Sequence, residues 1–128
     1  MQACKTVLYL DDNDDHRDLL KYLFEDAGYK IVTCSKLDEC LEQLSKNDVS
    51  AVIMDYWIEG VETFTVGEKI RIFYPKIPFF YFTGDARTTS RQRAMSSGAQ
   101  AYLLKPDDIG GIVQTIDKYL GEAAGCAA

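Results

Sequence analysis

Four places in the chain set charge-handling residues directly after an apolar run. Asp11, Asp12 and Asn13 follow Thr6-Val-Leu-Tyr-Leu10, and Asp55 follows Ala51-Val-Ile-Met54. Thr83-Gly84 follows Pro78-Phe-Phe-Tyr-Phe82, and Lys105-Pro106 follows Ala101-Tyr-Leu-Leu104. If these runs are strands of one open parallel sheet, the residues past their carboxyl ends share one rim, where such sheets carry their functional crevice. Two like charges about 4 Å apart repel by roughly 4 kcal/mol at an effective dielectric near 20. Carboxylates gathered on that rim must therefore hold a proton or recruit a cation. An all-oxygen site with open positions suits Mg²⁺, which keeps waters and takes phosphate oxygens as ligands. Lys105 and Thr83 are placed to meet an incoming anion, and Gly84 lets a backbone N–H come close to it. Positioning and charge neutralisation of this kind are what phosphoryl transfer depends on.

The elements that must position these residues alternate along the chain. Strands are expected at Thr6–Leu10, Lys30–Cys34, Ala51–Met54, Pro78–Phe82 and Ala101–Leu104. Between them, apolar residues recur at helical spacing. Leu19, Leu20, Leu23, Phe24 and Ala27 form one such face, which Gly28 ends; Leu37, Cys40, Leu41 and Leu44 form the next, with Ser35 as its expected N-cap. Val66, Ile70 and Phe73 fit a third helix closed by Pro75, and Ile109, Ile112, Val113, Ile116 and Leu120 a last one. Arg87 to Ser97 is poor in apolar residues and reads as a weakly anchored helix. Strict strand–helix alternation predicts an α/β fold, a doubly wound parallel sheet with helices on both faces.

Composition narrows the function classes. At 128 residues the chain is one domain's worth, with a core expected over about residues 5–120 and a frayed tail at 121–128. A net charge of −6 argues against direct binding of nucleic acid or an anionic membrane. No apolar run is long enough for a signal-peptide core or a bilayer span, so a cytoplasmic location is expected. Cys4, Cys34, Cys40 and Cys126 form no Cys-x-x-Cys and read as reduced thiols. His16, the single histidine, leaves no basis for a His-based triad or zinc site, and is expected to face solvent with the first-turn acids Asp14, Asp15 and Asp18.

Taken together, Leu8-Tyr-Leu-Asp-Asp-Asn13, Val52-Ile-Met-Asp55, Phe82-Thr-Gly84 and Tyr102-Leu-Leu-Lys-Pro106 resemble the signature of response-regulator receiver domains of two-component signalling. The resemblance runs in order over nearly the whole chain. It implies a flavodoxin-like sheet of five strands in the order 2-1-3-4-5, an order for which a chemotaxis member of the family is the standard example. It also implies roles: Asp55 as phosphoacceptor, Asp12 and (through water) Asp11 as Mg²⁺ carboxylates with Asp55 itself, and the Trp57 backbone carbonyl as a further ligand. Mn²⁺ in place of Mg²⁺ is compatible with such a set. Thr83, Lys105 and the Gly84 N–H would contact the phosphoryl group, and Tyr102 would turn with Thr83 to report it.

The implied protein is a phosphorylation-dependent switch rather than an enzyme, catalysing only its own phosphorylation and dephosphorylation. Its partners would be a histidine kinase or phosphotransfer protein and an output protein, with a homodimer left open. Two alternatives share the fold or the chemistry. One is a pseudo-receiver that binds partners without phosphorylation; the other is an aspartate-nucleophile phosphatase, whose Asp-x-Asp start is mimicked by Asp12-Asn-Asp14. The chain departs from the family pattern at Glu59-Gly60, where Pro-Gly is usual, and in a longer stretch to Gly67 that puts Glu62 in a loop near the site. Asp107 stands where an aromatic is common, and bulky Trp57, with Asp85, borders the expected position of the attacking water.

Overall fold

The computed structural model describes residues 5–121. The expected tail beyond Gly121, like Cys4 and Cys126, lies outside them. Five parallel strands form the main sheet: β1 (Thr6–Leu10), β2 (Lys30–Cys34), β3 (Ala51–Met54), β6 (Phe79–Thr83) and β7 (Ala101–Leu104), in the order β2-β1-β3-β6-β7. Leaving aside a small hairpin, β4 (Trp57–Ile58) and β5 (Val61–Glu62), this is the 2-1-3-4-5 order. The helices are α1 (Asp14–Asp26), α2 (Leu37–Lys46), α3 (Phe64–Phe73), α4 (Thr88–Ser96) and α5 (Ile112–Leu120).

The period of two along each strand divides the core into two layers. Leu8, Leu10, Val52, Met54, Phe79 and Tyr81 face one side, with Cys40 and Leu44 of α2, Val66 and Ile70 of α3, and Ala94 of α4. Val7, Tyr9, Ala51, Ile53, Phe80 and Phe82 face the other, with Leu20 and Phe24 of α1 and Ile112 and Ile116 of α5. Both faces of β3 and β6 are covered, so these strands read as unbroken apolar runs. Each fully buried Leu, Ile or Phe contributes roughly 1.5–3 kcal/mol relative to exposure.

Several helix details differ from the expectations. Leu19 and Phe73 are 44% and 70% exposed, and Ala27 is exposed too; helices one sheet-face deep bury a narrower stripe than the composition offers. Ser35 does not cap α2: the N-cap is Lys36, and the Ser35 hydroxyl donates to Glu39 instead. Ile109 lies in a 3₁₀ turn (Ile109–Gly111), so α5 begins only at Ile112. The helix expected at Arg87–Ser97 is present as α4, buries only Ser90 and Ala94, and is held mainly by polar bonds.

Cys34 and Cys40 are buried free thiols; neighbouring Cys40 and burial push the Cys34 thiol up, which leaves it unreactive. Among the described residues, no helix is long and apolar enough to cross a membrane.

Candidate functional site

The end of β1 is fixed by the start of α1. The Asn13 side chain caps α1 by accepting from the His16 N–H at 3.0 Å, and Asp11 Oδ1 accepts from the Asn13 N–H at 2.9 Å. Asp11 is fully buried. Its Oδ2 also accepts from the Tyr9 hydroxyl and, at 2.6 Å, from the Lys105 ammonium. Burial and the charge of Asp11 hold the Tyr9 phenol far above its usual range, so it stays a donor. Neighbouring Asp12 is exposed, and its Oδ2 accepts from the Glu59 N–H at 2.9 Å.

Asp55 leaves the end of β3 beside them. Its carboxylate accepts from Lys105 Nζ at 3.0 Å and from the Trp57 N–H at 3.3 Å. Oxygens of Asp11, Asp12 and Asp55 lie within 4.8 Å of one another. Lys105 is brought across by β7, where its N–H donates to the Thr83 carbonyl at 2.8 Å, and its ammonium lies 5.5 Å from the Phe82 ring centroid. Residues 94 positions apart thus meet in one ion pair. Three clustered carboxylates, two of them paired with one ammonium, carry a net negative charge, and an all-oxygen donor set of this kind fits a hard divalent cation.

Thr83 is buried at the end of β6, and its hydroxyl accepts from the Asp85 N–H at 3.3 Å. Gly84 is exposed, and a Cβ there would meet no protein atom within 4 Å. The protein's own packing therefore does not require glycine at this position. Tyr102 is buried, with its hydroxyl donating to the Asp85 carbonyl at 2.5 Å. Burial and Asp85 push this phenol up, which keeps its proton in place.

The departure after Asp55 is a hairpin. Ile58 pairs with Val61 across Glu59 (φ +50°) and Gly60 (φ +77°), the positive φ at both central residues that a type I′ turn requires. Glu62 is thus strand, not loop. It accepts from Tyr56 at 2.5 Å and from Arg93 of α4 at 2.9 Å, and these two donors lower its carboxyl below the ordinary value. Trp57 Nε1 donates to Asp85 Oδ2 at 2.8 Å, with the Arg87 guanidinium 5.6 Å from the ring centroid. Arg87 first, then Ser90 and Trp57, hold Asp85 well below the usual carboxylate range.

Sequence reasoning missed three contributors. Thr63 is buried and donates to the Asp55 carbonyl at 2.7 Å, tying the Asp55 backbone to the start of α3. Tyr9 supports Asp11 from below. His16, expected to face solvent, is indeed 41% exposed at its side chain, yet its Nδ1 lies 2.8 Å from Lys105 Nζ. A signal for it existed: His16 lies four residues before Leu20 and eight before Phe24, in line with the two buried residues of α1. By contrast Asp14 is 85% exposed and pairs with Arg17, so the Asp-x-Asp of a phosphatase is not assembled.

Comparison with known proteins agrees with this geometry. The family described as response regulator receiver domain matches residues 7–117. An NtrX-like response regulator of Rickettsia typhi is 33% identical over 102 residues, covering 78% of this chain but 22% of the relative. This chain thus spans about a fifth of such relatives. A two-component response regulator of Clostridium difficile shares the fold, with a TM-score of 0.85 at 22% identity over 91% of this chain and 95% of that one. TrrA of Thermotoga maritima, solved in complex with Mg²⁺-BeF, has a TM-score of 0.80 at 26% identity, covering 91% of this chain and 99% of that one. Receiver domains are signalling switches, not enzymes acting on a separate substrate. With an order-matched fold, an acid cluster facing a lysine, and a family match over most of its length, the chain belongs to the response regulator receiver domains of two-component systems.

Proposed function

We propose that this receiver domain, a single domain with its core over about residues 5–120, takes a phosphoryl group on Asp55. The observation that carries the reading is the Lys105 ammonium 3.0 Å from the Asp55 carboxylate, at a cluster of three acids. The donor would be a phosphohistidine of a kinase or phosphotransfer protein, or a small phosphodonor. An Asp55 oxygen attacks phosphorus; the P–N bond breaks, its electron pair leaves with the imidazole, and the imidazole takes up a proton. In hydrolysis, water attacks phosphorus, the acyl P–O bond breaks, and carboxylate and inorganic phosphate result.

Asp12, Asp55 and the Trp57 carbonyl would hold Mg²⁺ directly, and Asp11 through water, because Tyr9, Asn13 and Lys105 already occupy its oxygens. When bound, the ion neutralises charge on the phosphoryl oxygens. Lys105, the Thr83 hydroxyl and the Gly84 N–H stabilise the same oxygens from the protein side. Movement of Thr83 toward the phosphoryl group, coupled to Tyr102, would alter the face around α4 that an output partner reads.

Borohydride reduction of the acyl phosphate after treatment with acetyl phosphate and Mg²⁺, followed by peptide mapping, tests the assignment. Labelling at Asp55 is expected; labelling at Asp12 would indicate phosphatase chemistry, and no label a module that only binds. Trp57 borders the acceptor and is fixed by Asp85, shielding one approach for water. In Trp57→Asn the indole is gone and hydrolysis of the acyl phosphate is expected to be about five- to tenfold faster. An unchanged half-life would remove the shielding role.

A further inference from the structure

The Lys105 ammonium has three protons and three acceptors: Asp11 Oδ2 at 2.6 Å, His16 Nδ1 at 2.8 Å and Asp55 Oδ2 at 3.0 Å. It is 12% exposed, so few waters can substitute for any of them. A lysine ammonium only donates, so in this contact His16 Nδ1 is the acceptor. The His16 backbone N–H is held by the Asn13 cap, while its side chain is 41% exposed and borders a small cavity of about 90 Å³ whose other walls include Leu20, Phe82 and Ile109.

Of the three acceptors, only Asp55 changes chemically in the proposed reaction. As its oxygen forms the bond to phosphorus, the Lys105 N–H directed at it turns to a phosphoryl oxygen as its new acceptor, and the ammonium keeps all three protons. The other two bonds must then keep the nitrogen in place. Asp11 supplies one. The second comes from a residue of α1 that adds no negative charge to an already crowded rim, which a carboxylate at this position would do.

We propose that His16 is a positioning residue, the third wall of a socket that aims Lys105 at the phosphoryl group. The inference rests on the reading of Asp55 as phosphoacceptor. Without the imidazole, the third proton turns to solvent, the nitrogen swings within the remaining wedge, and its contact with the transferred group loosens.

Three substitutions in the 128-residue chain separate acceptor from packing. His16→Asn keeps an acceptor oxygen near the Nδ1 position, His16→Leu keeps bulk without an acceptor, and His16→Ala keeps neither. The expected result is a rate of Asp55 phosphorylation by acetyl phosphate, at saturating Mg²⁺, that falls about five- to tenfold in His16→Ala and His16→Leu alike. His16→Asn should stay within about twofold of the parent, and Mg²⁺ affinity, read by fluorescence of Trp57, should be the same in all four proteins. A second readout does not depend on phosphorylation. The ¹⁵N-labelled Lys105 ammonium should give a slowly exchanging signal in the parent and in His16→Asn, and lose it in the other two. Leucine behaving like histidine in either readout, or a lysine signal indifferent to residue 16, would overturn the proposal. Failure of the parent to be labelled on Asp55, with the lysine signal following the expected pattern, would instead refute the phosphoacceptor reading and confine His16 to placing Lys105.

Discussion

Replacing Lys105 by methionine is expected to slow phosphoryl uptake at Asp55 by about a hundredfold or more, the usual consequence of losing one charge-stabilising donor in a transfer site. The same substitution should cost stability. Asp11 is fully buried and Asp55 is 15% exposed, with oxygens of the acid cluster within 4.8 Å of one another. The Arg17 guanidinium meets the Asp11 backbone carbonyl, not its carboxylate, and does not replace the ammonium. Breaking a buried pair from one side costs about 3–5 kcal/mol; because this rim opens to water on the Asp12 side, about 2–4 kcal/mol is expected. A divalent cation should return part of it, since a ligand at one hundred times its Kd stabilises by about 2.7 kcal/mol. Urea unfolding of the two proteins with and without Mg²⁺ measures both effects. The variant should gain more from Mg²⁺ than the parent does, and equal stabilities without Mg²⁺ would mean that Lys105 is not the counter-charge of the cluster.

Gly67→Ala is expected to destabilise the domain by about 2 kcal/mol, against the sign that helix propensity alone predicts. In a helix interior alanine is favoured over glycine by about 1 kcal/mol. Gly67 of α3, however, packs where a Cβ would come within 2.5 Å of the Tyr81 hydroxyl, 2.7 Å of Ser97 Oγ and 2.8 Å of Phe79 Cε2. Tyr81 and Ser97 are buried and bonded to each other at 2.9 Å, so neither can swing aside without losing that bond. Overpacking of this kind costs about 1–3 kcal/mol, and the broken bond adds to it. The Tyr81 ring also lies 5.7 Å from Tyr56 and 6.2 Å from Tyr102, so the disturbance should reach the aromatic group behind the site. A urea midpoint unchanged or raised in the variant would show that the contact yields without cost.

How much of this was readable beforehand follows from where each element gets its stability. The central strands are covered on both faces, so Ala51–Met54 and Phe79–Thr83 carry their burial in composition alone, and the residues that end them could be read directly. Asp11, Asp12, Asp55 and Lys105 were legible because strand ends of a parallel sheet converge by topology, whatever the intervening sequence. Tyr9 was hidden by its type: a tyrosine in an apolar strand reads as core, and only its place two residues before Asp11, on the same face, points to the site. His16 looked like one polar residue among Asp14, Asp15 and Asp18, although its spacing from Leu20 set it on the side of α1 that borders Lys105. The hairpin was hidden because Glu59 is an unusual residue for a positive φ, so Glu59-Gly60 did not read as a two-residue turn. The anchoring of α4 was invisible for a related reason. Its ties, Arg93 to Glu62 and Ser90 to Asp85, are polar contacts across other elements, which apolar periodicity does not register.

The central claim is that one carboxylate, Asp55, takes up the phosphoryl group with help from a divalent cation. Intact-mass measurement of the parent and of Asp55→Asn, each incubated with acetyl phosphate in Mg²⁺ and again in excess chelator, tests it most directly. One added phosphoryl group is predicted in the parent with Mg²⁺ alone, and none under the other three conditions. Equal phosphorylation of Asp55→Asn, or uptake by the parent indifferent to chelation, would contradict it.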